Sequence, residues 1–533
     1  MSADETPEKS GPVPEDENLE ADASISEEVA SLDEDQSLAQ PSRLAAYLCP
    51  PWGIVQLWRM PGDALGKAIG TGGLLAFMVL YAGVVVFVLK QAGVVSVEWR
   101  GAGYPSIIWT WNRASANYRE LEAHREAQAA QTQDGLRFKT GAPWPGFRGA
   151  KRDGISRETI RLDWDQAQPK KLWLQPSGEG HSSFAVANGR AFTQEQRRGK
   201  EAVVAYHLET GRELWKHEYR AEFNDEWKMG DIGPRATPVW DNGRVFALGA
   251  EGHLFCLAEK TGEVDWEKHV FKLADSGNLP FGMAASPLVV GDLLIVPAGS
   301  SRHSLLALDK TNGSVVWKSP VGMGAYTSPS VAVLNGVKQI LITGAEGIKG
   351  ISLEGGKVLW GFPWDVSHNN NIAQPIAIDD HRVFISAGYG KGCAMLDLKN
   401  EGGQWSVGEL WRNRFMKNKF SSSVYLDGFI YGLDDTILAC LDAETGQRKW
   451  KGERYGYGQL LMVGEHLVIV SGTEGDLALV KASPEEPVEI ARFAALGTRT
   501  WNHPVIADGR LLIRNAKSMA CYDVSSSPSA VQP

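Results

Sequence analysis

Apolar residues alternate with polar ones in an eleven-residue phrase that recurs along most of the chain. Its first copy, residues 205–215 (AYHLETGRELW), predicts a short strand, a tight turn at Glu209-Thr210-Gly211 and a second strand ending on Trp215. Apolar residues at every second position are typical of a strand with one buried face, and a glycine between two such runs favours a turn. Full copies follow at residues 256–266, 307–317, 350–360 and 440–450. Recurrence at roughly 40–50 residues, with one β-hairpin per unit, is the pattern of propeller blades.

Weaker copies complete the series. Residues 394–397 lead after an insertion to Trp411, residues 478–479 lead to Phe493, and residues 520–523 have no aromatic residue after them. An unpaired back half, residues 171–173, precedes the first copy. Eight turn signals, such as Asn242-Gly243, each precede an apolar run and give the same count as the eight phrase openings.

We therefore predict an all-β fold, an eight-bladed β-propeller. The half-phrases at residues 520–523 and 171–173 are expected to pair in the eighth blade, because an open ring would expose two sheet edges. The aromatic residues expected to hold the blades together are Trp173, Trp215, Trp266, Trp317, Trp360, Trp411, Trp450 and Phe493.

The start of each first strand also repeats, as a triplet of mostly small or polar residues. In a propeller the first strands line the central channel, so the triplets converge on one end of the axis. Because side chains alternate along a strand, the first and third residues of a triplet lie on the same side. The ring expected at the mouth consists of Ser183, Thr237, Ser286, Ser328, Gln374, Ser422, Gln459 and His503. Above it we expect His181, Arg235, Tyr326, Tyr457 and Trp501, with Lys419 and Asn502 beside them.

Two interpretations of this ring stay open. Small hydroxyls fill a narrow, wet channel without any ligand, and they also suit a polar ligand site.

The phrase A-L-D-x-x-T-G-x-x-x-W, with one aromatic residue per blade, resembles the pyrroloquinoline-quinone (PQQ)-type repeat. That repeat occurs in quinoprotein alcohol dehydrogenases and in BamB, the propeller lipoprotein of outer-membrane assembly. The resemblance covers about residues 170–524 and implies a membrane-anchored bacterial member of BamB type. The segment Trp144-Pro145-Gly146-Phe147-Arg148-Gly149 is also similar to the lead-in of bacterial secreted propellers of this kind. A fold alone does not decide function.

The residues argue against quinone chemistry. A quinone dehydrogenase needs calcium held by carboxylate and amide oxygens, and a carboxylate base beside the quinone. No axial triplet contains Asp or Glu, the nearest carboxylates being Asp231 and Asp365, and the family's adjacent cysteine pair is absent. Trp501 alone is weak support for a stacked ring. We therefore expect no catalytic residue, no metal and no cofactor, although the resemblance would allow PQQ with calcium.

The leading hypothesis is a non-catalytic binding or assembly scaffold at the cell envelope, with protein partners there or a small polar or glycan ligand. One alternative is a PQQ-dependent or other redox enzyme with its site at the axis. Another is a carbohydrate-binding propeller that uses Trp501, Tyr326 and Tyr457. Nucleic acid is not an expected partner, because the chain has no basic stripe and no recognised nucleic-acid-binding motif.

The segments before the propeller predict a membrane anchor. Residues 1–40 hold thirteen acidic residues and one basic residue, Lys9, so an acidic tail over residues 1–42 is expected to be disordered. Residues 43–67 form a juxtamembrane segment, and the uncharged run 68–89 is long enough to span a bilayer, giving a transmembrane helix over 68–90. The composition of residues 107–131 favours a helix, so residues 91–143 are expected to form a helical stalk or linker.

The predicted boundaries and topology follow from these segments. The propeller is expected over residues 144–524, followed by a disordered C-terminus over 525–533. The tail is expected in the cytoplasm and the propeller outside it, in the periplasm, mainly because of the resemblance, since the charge bias across the span is slight.

Overall fold

The computed structural model of the chain describes residues 55, 58, 59, 61–91, 95–100, 104–109, 115–129, 136–139, 141–224 and 232–526. Its contacts divide the chain into two units, Met1–Trp109 and Thr110–Pro533. The acidic tail that we predicted to be disordered lies outside the described residues, as do residues 527–533 of the predicted C-terminal tail.

The first unit contains the apolar helix. Helix α1 (Ala64–Gln91) includes a stretch, Ala64–Leu89, that is long and apolar enough to cross a membrane. At about 1.5 Å per residue the helix is long enough for a hydrocarbon core of about 30 Å. Strands β1 (Val95–Arg100) and β2 (Tyr104–Trp109) follow as an antiparallel hairpin.

Helix α2 (Ser115–Ala129) differs from the predicted stalk in extent and position. Residues 107–109, which we expected to be helical, belong to strand β2. Helix α2 is docked on the propeller: Tyr118 is buried and donates a hydrogen bond to the Gln196 carbonyl at 3.1 Å. Its Arg125 Nε lies 3.2 Å from the Glu213 carboxylate. Composition indicated a charged helix but could not show that its charges have partners on the first blade.

Eight antiparallel sheets of four strands confirm the predicted fold and blade count. In blades 1 to 7 the strands are adjacent in sequence order from the axis outward, and blade 7 has one additional short parallel strand, β3 (Ile155–Ser156), beside its innermost strand. Blade 8 takes its outermost strand from the start of the propeller, β4 (Lys170–Pro176).

The blades contain these strands in order. Blade 1 is β5 (Ala185–Ala187), β6 (Arg190–Arg197), β7 (Lys200–His207) and β8 (Glu213–Tyr219); blade 2 is β9 (Val239–Asp241), β10 (Arg244–Leu248), β11 (His253–Ala258) and β12 (Val264–His269), followed by helix α3 (Val270–Ala274); blade 3 is β13 (Leu288–Val290), β14 (Leu293–Pro297), β15 (Leu305–Asp309) and β16 (Val315–Ser319); blade 4 is β17 (Ser330–Leu334), β18 (Val337–Thr343), β19 (Gly347–Ser352) and β20 (Val358–Pro363). Blade 5 is β21 (Ile376–Ala377), β22 (Arg382–Ala387), β23 (Gly392–Glu401) and β24 (Gln404–Asn413); blade 6 is β25 (Val424–Leu426), β26 (Phe429–Asp434), β27 (Ile437–Asp442) and β28 (Arg448–Arg454); blade 7 is β29 (Gln459–Val463), β30 (His466–Val470), β31 (Leu477–Lys481) and β32 (Val488–Phe493); blade 8 is β33 (Val505–Ala507), β34 (Arg510–Arg514), β35 (Ser518–Asp523) and β4.

The ring closes where the two half-phrases indicated. Strand β35 pairs antiparallel with β4, and Cys521 is opposite Trp173. Arg510 strengthens the junction between blades 8 and 1. Its guanidinium contacts Asp523 of its own blade at 2.8 Å and Glu209, in the turn of blade 1, at 2.9 Å.

The repeat phrase links neighbouring blades through its tryptophan and its glycine. In most blades the indole Nε1 donates a hydrogen bond to a backbone carbonyl in the turn of the next blade, as from Trp215 to Glu259 at 2.8 Å and from Trp173 to Leu208 at 3.0 Å. The turn glycine packs against the same ring: a Cβ on Gly211, whose φ is +68°, would lie 2.8 Å from Trp173 Cδ2. Trp360 is an exception and bonds Gln339 of its own blade at 2.6 Å.

Candidate functional site

The first strands surround a cavity of about 740 Å³ at one end of the propeller axis. All the predicted mouth residues except Gln374 and Asn502 line this cavity. Sequence reasoning did not single out several further lining residues, which come from loops and from the lead-in: Phe147, Phe281, His368, Asn370, Tyr389 and Phe420.

Four small hydroxyls of the predicted ring accept hydrogen bonds between blades. The Thr237 hydroxyl accepts a hydrogen bond from the Ser183 backbone N–H at 3.1 Å, and the Ser286 hydroxyl accepts one from the Thr237 N–H at 2.8 Å. Ser328 and Ser422 accept equivalent bonds from Ser286 and from residue 374. The hydroxyls of this ring thus form a belt that ties blades together at the axis.

Gln374 and Asn502 belong to the same belt rather than to the cavity wall. Gln374 Nε2 donates to the Ser328 carbonyl at 3.1 Å, and Asn502 Nδ2 donates to the Ser182 carbonyl at 2.8 Å. Both side chains are buried. Alternation along the strand placed Gln374 at the axis but did not reveal which way its side chain turns, and Asn502, as the middle residue of its triplet, was expected only beside the ring.

The lead-in segment occupies the axial channel beside the cavity. Arg148 is buried and donates to the carbonyls of Ser422 and Ser423 at 3.2 and 2.7 Å. Arg152 is also buried and donates to the carbonyls of Ser286 and Pro329 at 3.1 and 3.0 Å. The two guanidinium groups thereby satisfy carbonyls at the start of blade 6 and at the starts of blades 3 and 4. Phe147, which precedes Arg148, lines the cavity.

His503 lies under this segment and is not a candidate acid or base. Its ring is buried 5.8 Å from the centroid of Phe147. Burial, with a smaller contribution from the nearby Arg148, lowers the pKa of His503 to about 3. The imidazole is therefore neutral at physiological pH.

Above the belt, four ring side chains form an arc along one side of the cavity. Trp501 lies 5.4 Å from His181 and 4.8 Å from Phe420, measured between ring centroids. Phe420 in turn lies 5.4 Å from Tyr457. This aromatic arc spans blades 6, 7, 8 and 1 and presents ring surfaces to the cavity.

Lys419 stands at the end of the aromatic arc. Its ammonium lies 4.3, 5.1 and 5.4 Å from the ring centroids of Tyr457, Tyr389 and Phe420. The loop that carries Tyr389 is pressed against this lysine, because a Cβ on Gly388 would lie 2.8 Å from Lys419 Cα. Tyr389 itself has a left-handed backbone with φ of 55°, which is uncommon for a residue with a large side chain.

Arg235 stands across the axis from Lys419, since blades 2 and 6 are four apart in a ring of eight. Phe281 and Tyr326 lie between them on the far wall, with their ring centroids 5.8 Å apart. Burial raises the pKa of Tyr326 to about 12, so its hydroxyl keeps its proton. Among the described residues, the cavity lining includes two cations, Arg235 and Lys419, and no carboxylate.

This donor set does not fit calcium-bound PQQ. Calcium takes carboxylate and carbonyl oxygens, and the described lining offers it no carboxylate. Of the two nearest carboxylates in the sequence, Asp231 lies outside the described residues. Asp365 has an exposed side chain that pairs with Lys391 at 3.0 Å. No step through the quinone can be derived from these residues.

The fold and cavity define a class: a closed eight-bladed propeller whose axial cavity is cationic and aromatic. Within that class, the family model described as "Outer membrane protein assembly factor BamB" matches residues 156–329 and 200–452, which together exceed half of the chain. The protein belongs to this family.

Individual relatives are distant. The chain is 22% identical to BamB of Yersinia pestis over 305 residues, which are 54% of this chain and 74% of that protein. It is 25% identical to a polyvinylalcohol dehydrogenase of a Pseudomonas species over 224 residues, 36% of this chain, and that match spans about a third (34%) of the enzyme. The quinohemoprotein alcohol dehydrogenase of Comamonas testosteroni superposes with a TM-score of 0.53 at 12% identity, covering 79% of this chain and 85% of that structure. That last likeness shows the fold alone.

Proposed function

We propose that this protein is a membrane-anchored scaffold whose propeller binds other proteins of the cell envelope and catalyses no reaction at its axis. The observation that carries the proposal is the axial cavity. There, at the point where all eight blades converge, the described residues supply hydroxyls that accept hydrogen bonds between blades, two cations and three histidines, of which His503 is neutral, and they supply no carboxylate. A calcium site would take carboxylate and carbonyl oxygens, and the described lining offers no carboxylate at this point.

Family membership and the apolar helix support the same proposal. The family is named for an outer-membrane assembly factor, and α1 is a candidate anchor ahead of the propeller. The propeller also exposes apolar side chains on its blades, among them Val316, Val333 and Leu410. Single exposed apolar residues are common on any surface, so these positions serve as probes and do not define an interface.

The test is site-specific photocrosslinking of the full-length protein in its native membranes. A photoreactive amino acid replaces Val316, Val333 or Leu410 in turn, and the adducts are purified and identified by mass spectrometry. A matched control places the same amino acid at Val79 in α1, so that adducts formed near the helix alone can be subtracted. We expect a discrete envelope-protein adduct from at least one propeller position. If no propeller position forms an adduct and the purified protein turns over a substrate, the scaffold proposal is wrong.

We further propose that residues 1–67 are cytoplasmic and residues 91–533 lie outside the cytoplasm. The uncharged span supports a crossing, and the family, which is named for an outer-membrane assembly factor, supports a propeller outside the cytoplasm. Protease added to intact spheroplasts should digest the propeller and spare the tail, with a cytoplasmic protein as the control for intact cells. Digestion of the tail with a protected propeller would reverse the orientation.

A further inference from the structure

We propose that the axial cavity is a binding site for a small organic anion that carries a ring, with Lys419 contacting the acidic group and the aromatic arc contacting the ring. This inference does not depend on the scaffold function, because a ligand at the axis and a protein partner on the blades are separate events.

Lys419 carries a positive charge that faces aromatic rings. Its ammonium lies over three aromatic rings, and within the described chain no carboxylate lies within 4.0 Å of it. A ring face attracts a cation through its quadrupole but does not neutralise it. The ammonium is half-buried and lines the cavity, where an anion is attracted more strongly than it would be in open water.

The position of the lysine is built into the fold. Only glycine at position 388 lets the loop of blade 5 approach the Lys419 backbone so closely, and Tyr389 reaches the ammonium from a left-handed backbone. Backbone strain of this kind often marks ligand sites, because the surrounding structure must hold it in place. Here the strained residue touches the cation itself, at 5.1 Å from its ring centroid.

The shape of the cavity indicates the rest of the ligand. Phe420 and Trp501 line the cavity as neighbouring rings, with Lys419 over Phe420 and Arg499 over Trp501, and aromatic surfaces of this kind favour a flat or ring-shaped molecule. Asn370, buried in the same lining, has an Oδ1 atom without a hydrogen-bond partner, so the site can also accept a donor group from the ligand. A volume of about 740 Å³ suits a small molecule.

The cationic end distinguishes this ligand from neutral alternatives. A neutral sugar would use the rings and the amide but would gain nothing from Lys419. A calcium ion itself would be repelled by Lys419 and by Arg235 across the axis. An acidic group on an aromatic ring or on a sugar ring satisfies both the cation and the rings.

The experiment uses calorimetry on the purified full-length protein with two pairs of probes. The first pair is 2-naphthoate and its neutral analogue 2-naphthamide, and the second is glucuronate and glucose. We expect at least one acid to bind at least ten-fold more tightly than its neutral partner, and its affinity to weaken several-fold between 50 and 500 mM salt. The pair that binds identifies the kind of ring.

Variants assign the contacts. Lys419→Met should weaken the bound acid about ten-fold or more and leave its neutral analogue unchanged, whereas Trp501→Leu should weaken both. Lys449→Met is the matched control, because Lys449 also stands over a ring, that of Phe429 at 5.9 Å, but does not line the cavity. Thermal melts verify that each variant is folded.

Three results would overturn the proposal: neither acid binds at 10 mM, the acid and its neutral analogue bind equally, or Lys419→Met binds the acid like the unmodified protein. None of them bears on the crosslinking result, so failure of this proposal can be told apart from failure of the scaffold proposal.

Discussion

Removal of the Trp173 side chain should loosen the seam at which the chain closes its ring. Trp173 lies on β4, the only strand of blade 8 that comes from the start of the propeller. Its ring packs over Gly211 and its Nε1 donates to the Leu208 carbonyl at 3.0 Å, so it joins blade 8 to blade 1. Trp173→Ala removes both contacts at once.

The expected cost follows from these contacts. Truncation of a fully buried tryptophan costs about 3–5 kcal/mol, and Trp173 is only partly buried. The lost hydrogen bond contributes about 1 kcal/mol of that cost. We therefore expect the free energy of opening the seam to fall by about 2–3 kcal/mol, which corresponds to roughly a 30- to 150-fold faster amide exchange there.

Hydrogen exchange read by mass spectrometry measures this opening strand by strand. Faster exchange should be confined to Lys170–Pro176 and Ser518–Asp523, the two strands that pair at the seam. Trp215→Ala is the matched control, because Trp215 makes the same contact between blades 1 and 2, away from the chain ends. It should accelerate exchange near blades 1 and 2 and leave the seam protected.

The reasoning is refuted if Trp173→Ala leaves exchange in these two strands unchanged. It is also refuted if Trp215→Ala opens the seam to the same extent, because the tryptophan contacts would then have no local effect.

Three further predictions concern the junctions, the lead-in and a buried carboxyl. Gly211→Ala should cost about 1–3 kcal/mol more in the free energy of unfolding than Gly243→Ala. Both glycines have positive φ, but only at Gly211 would a Cβ meet the ring of Trp173. Chemical denaturation of both variants measures the difference, and equal losses would contradict the tryptophan–glycine contact. Arg152→Met should lower the melting temperature, because it removes charged hydrogen bonds worth about 1.5–3 kcal/mol. Arg152→Lys should restore little of the lost stability, since an ammonium cannot reproduce the forked geometry of the guanidinium group. Full recovery with lysine would show that charge alone matters. Burial raises the pKa of Glu201 from 4.5 to about 7, so the folded protein keeps a proton that the unfolded chain loses first. The free energy of unfolding should therefore fall as the pH rises from about 4.5 to 7. Glu201→Gln should reduce this fall, and the control Glu263→Gln, at an exposed position, should leave it in place.

Repetition made the fold predictable from sequence. Most phrases end in a strand whose tryptophan contacts the turn of the next blade, so the spacing of tryptophan and glycine records which units are neighbours. The two half-phrases at the ends indicated closure for the same reason, and the pairing of Cys521 with Trp173 confirms it.

The candidate site was only partly predictable. Strand alternation identified the belt and several cavity side chains, including Arg235 and Trp501, because their positions repeat from blade to blade. Phe281 and Tyr389 come from loops that do not repeat. The place of Arg148 in the channel depends on carbonyls 274 and 275 residues away in the chain, which no local pattern could reveal.

The docking of α2 escaped prediction for a similar reason. Its composition is that of a solvated helix, yet Arg125 finds its partners on blade 1, in Glu213 at 3.2 Å and in the Tyr206 hydroxyl at 2.9 Å. A charged helix face can be exposed to solvent or paired with other charges, and which of the two occurs depends on the strand against which the helix packs.

The central claim, a propeller that binds without quinone chemistry, is tested most directly by titrating the purified protein with PQQ in the presence and absence of calcium. Dye reduction is assayed in parallel with a panel of alcohols and sugars. We expect that calcium does not strengthen any binding of the quinone and that no dye is reduced, because the described axial lining offers calcium no carboxylate. Saturable, calcium-dependent binding accompanied by dye reduction would contradict it.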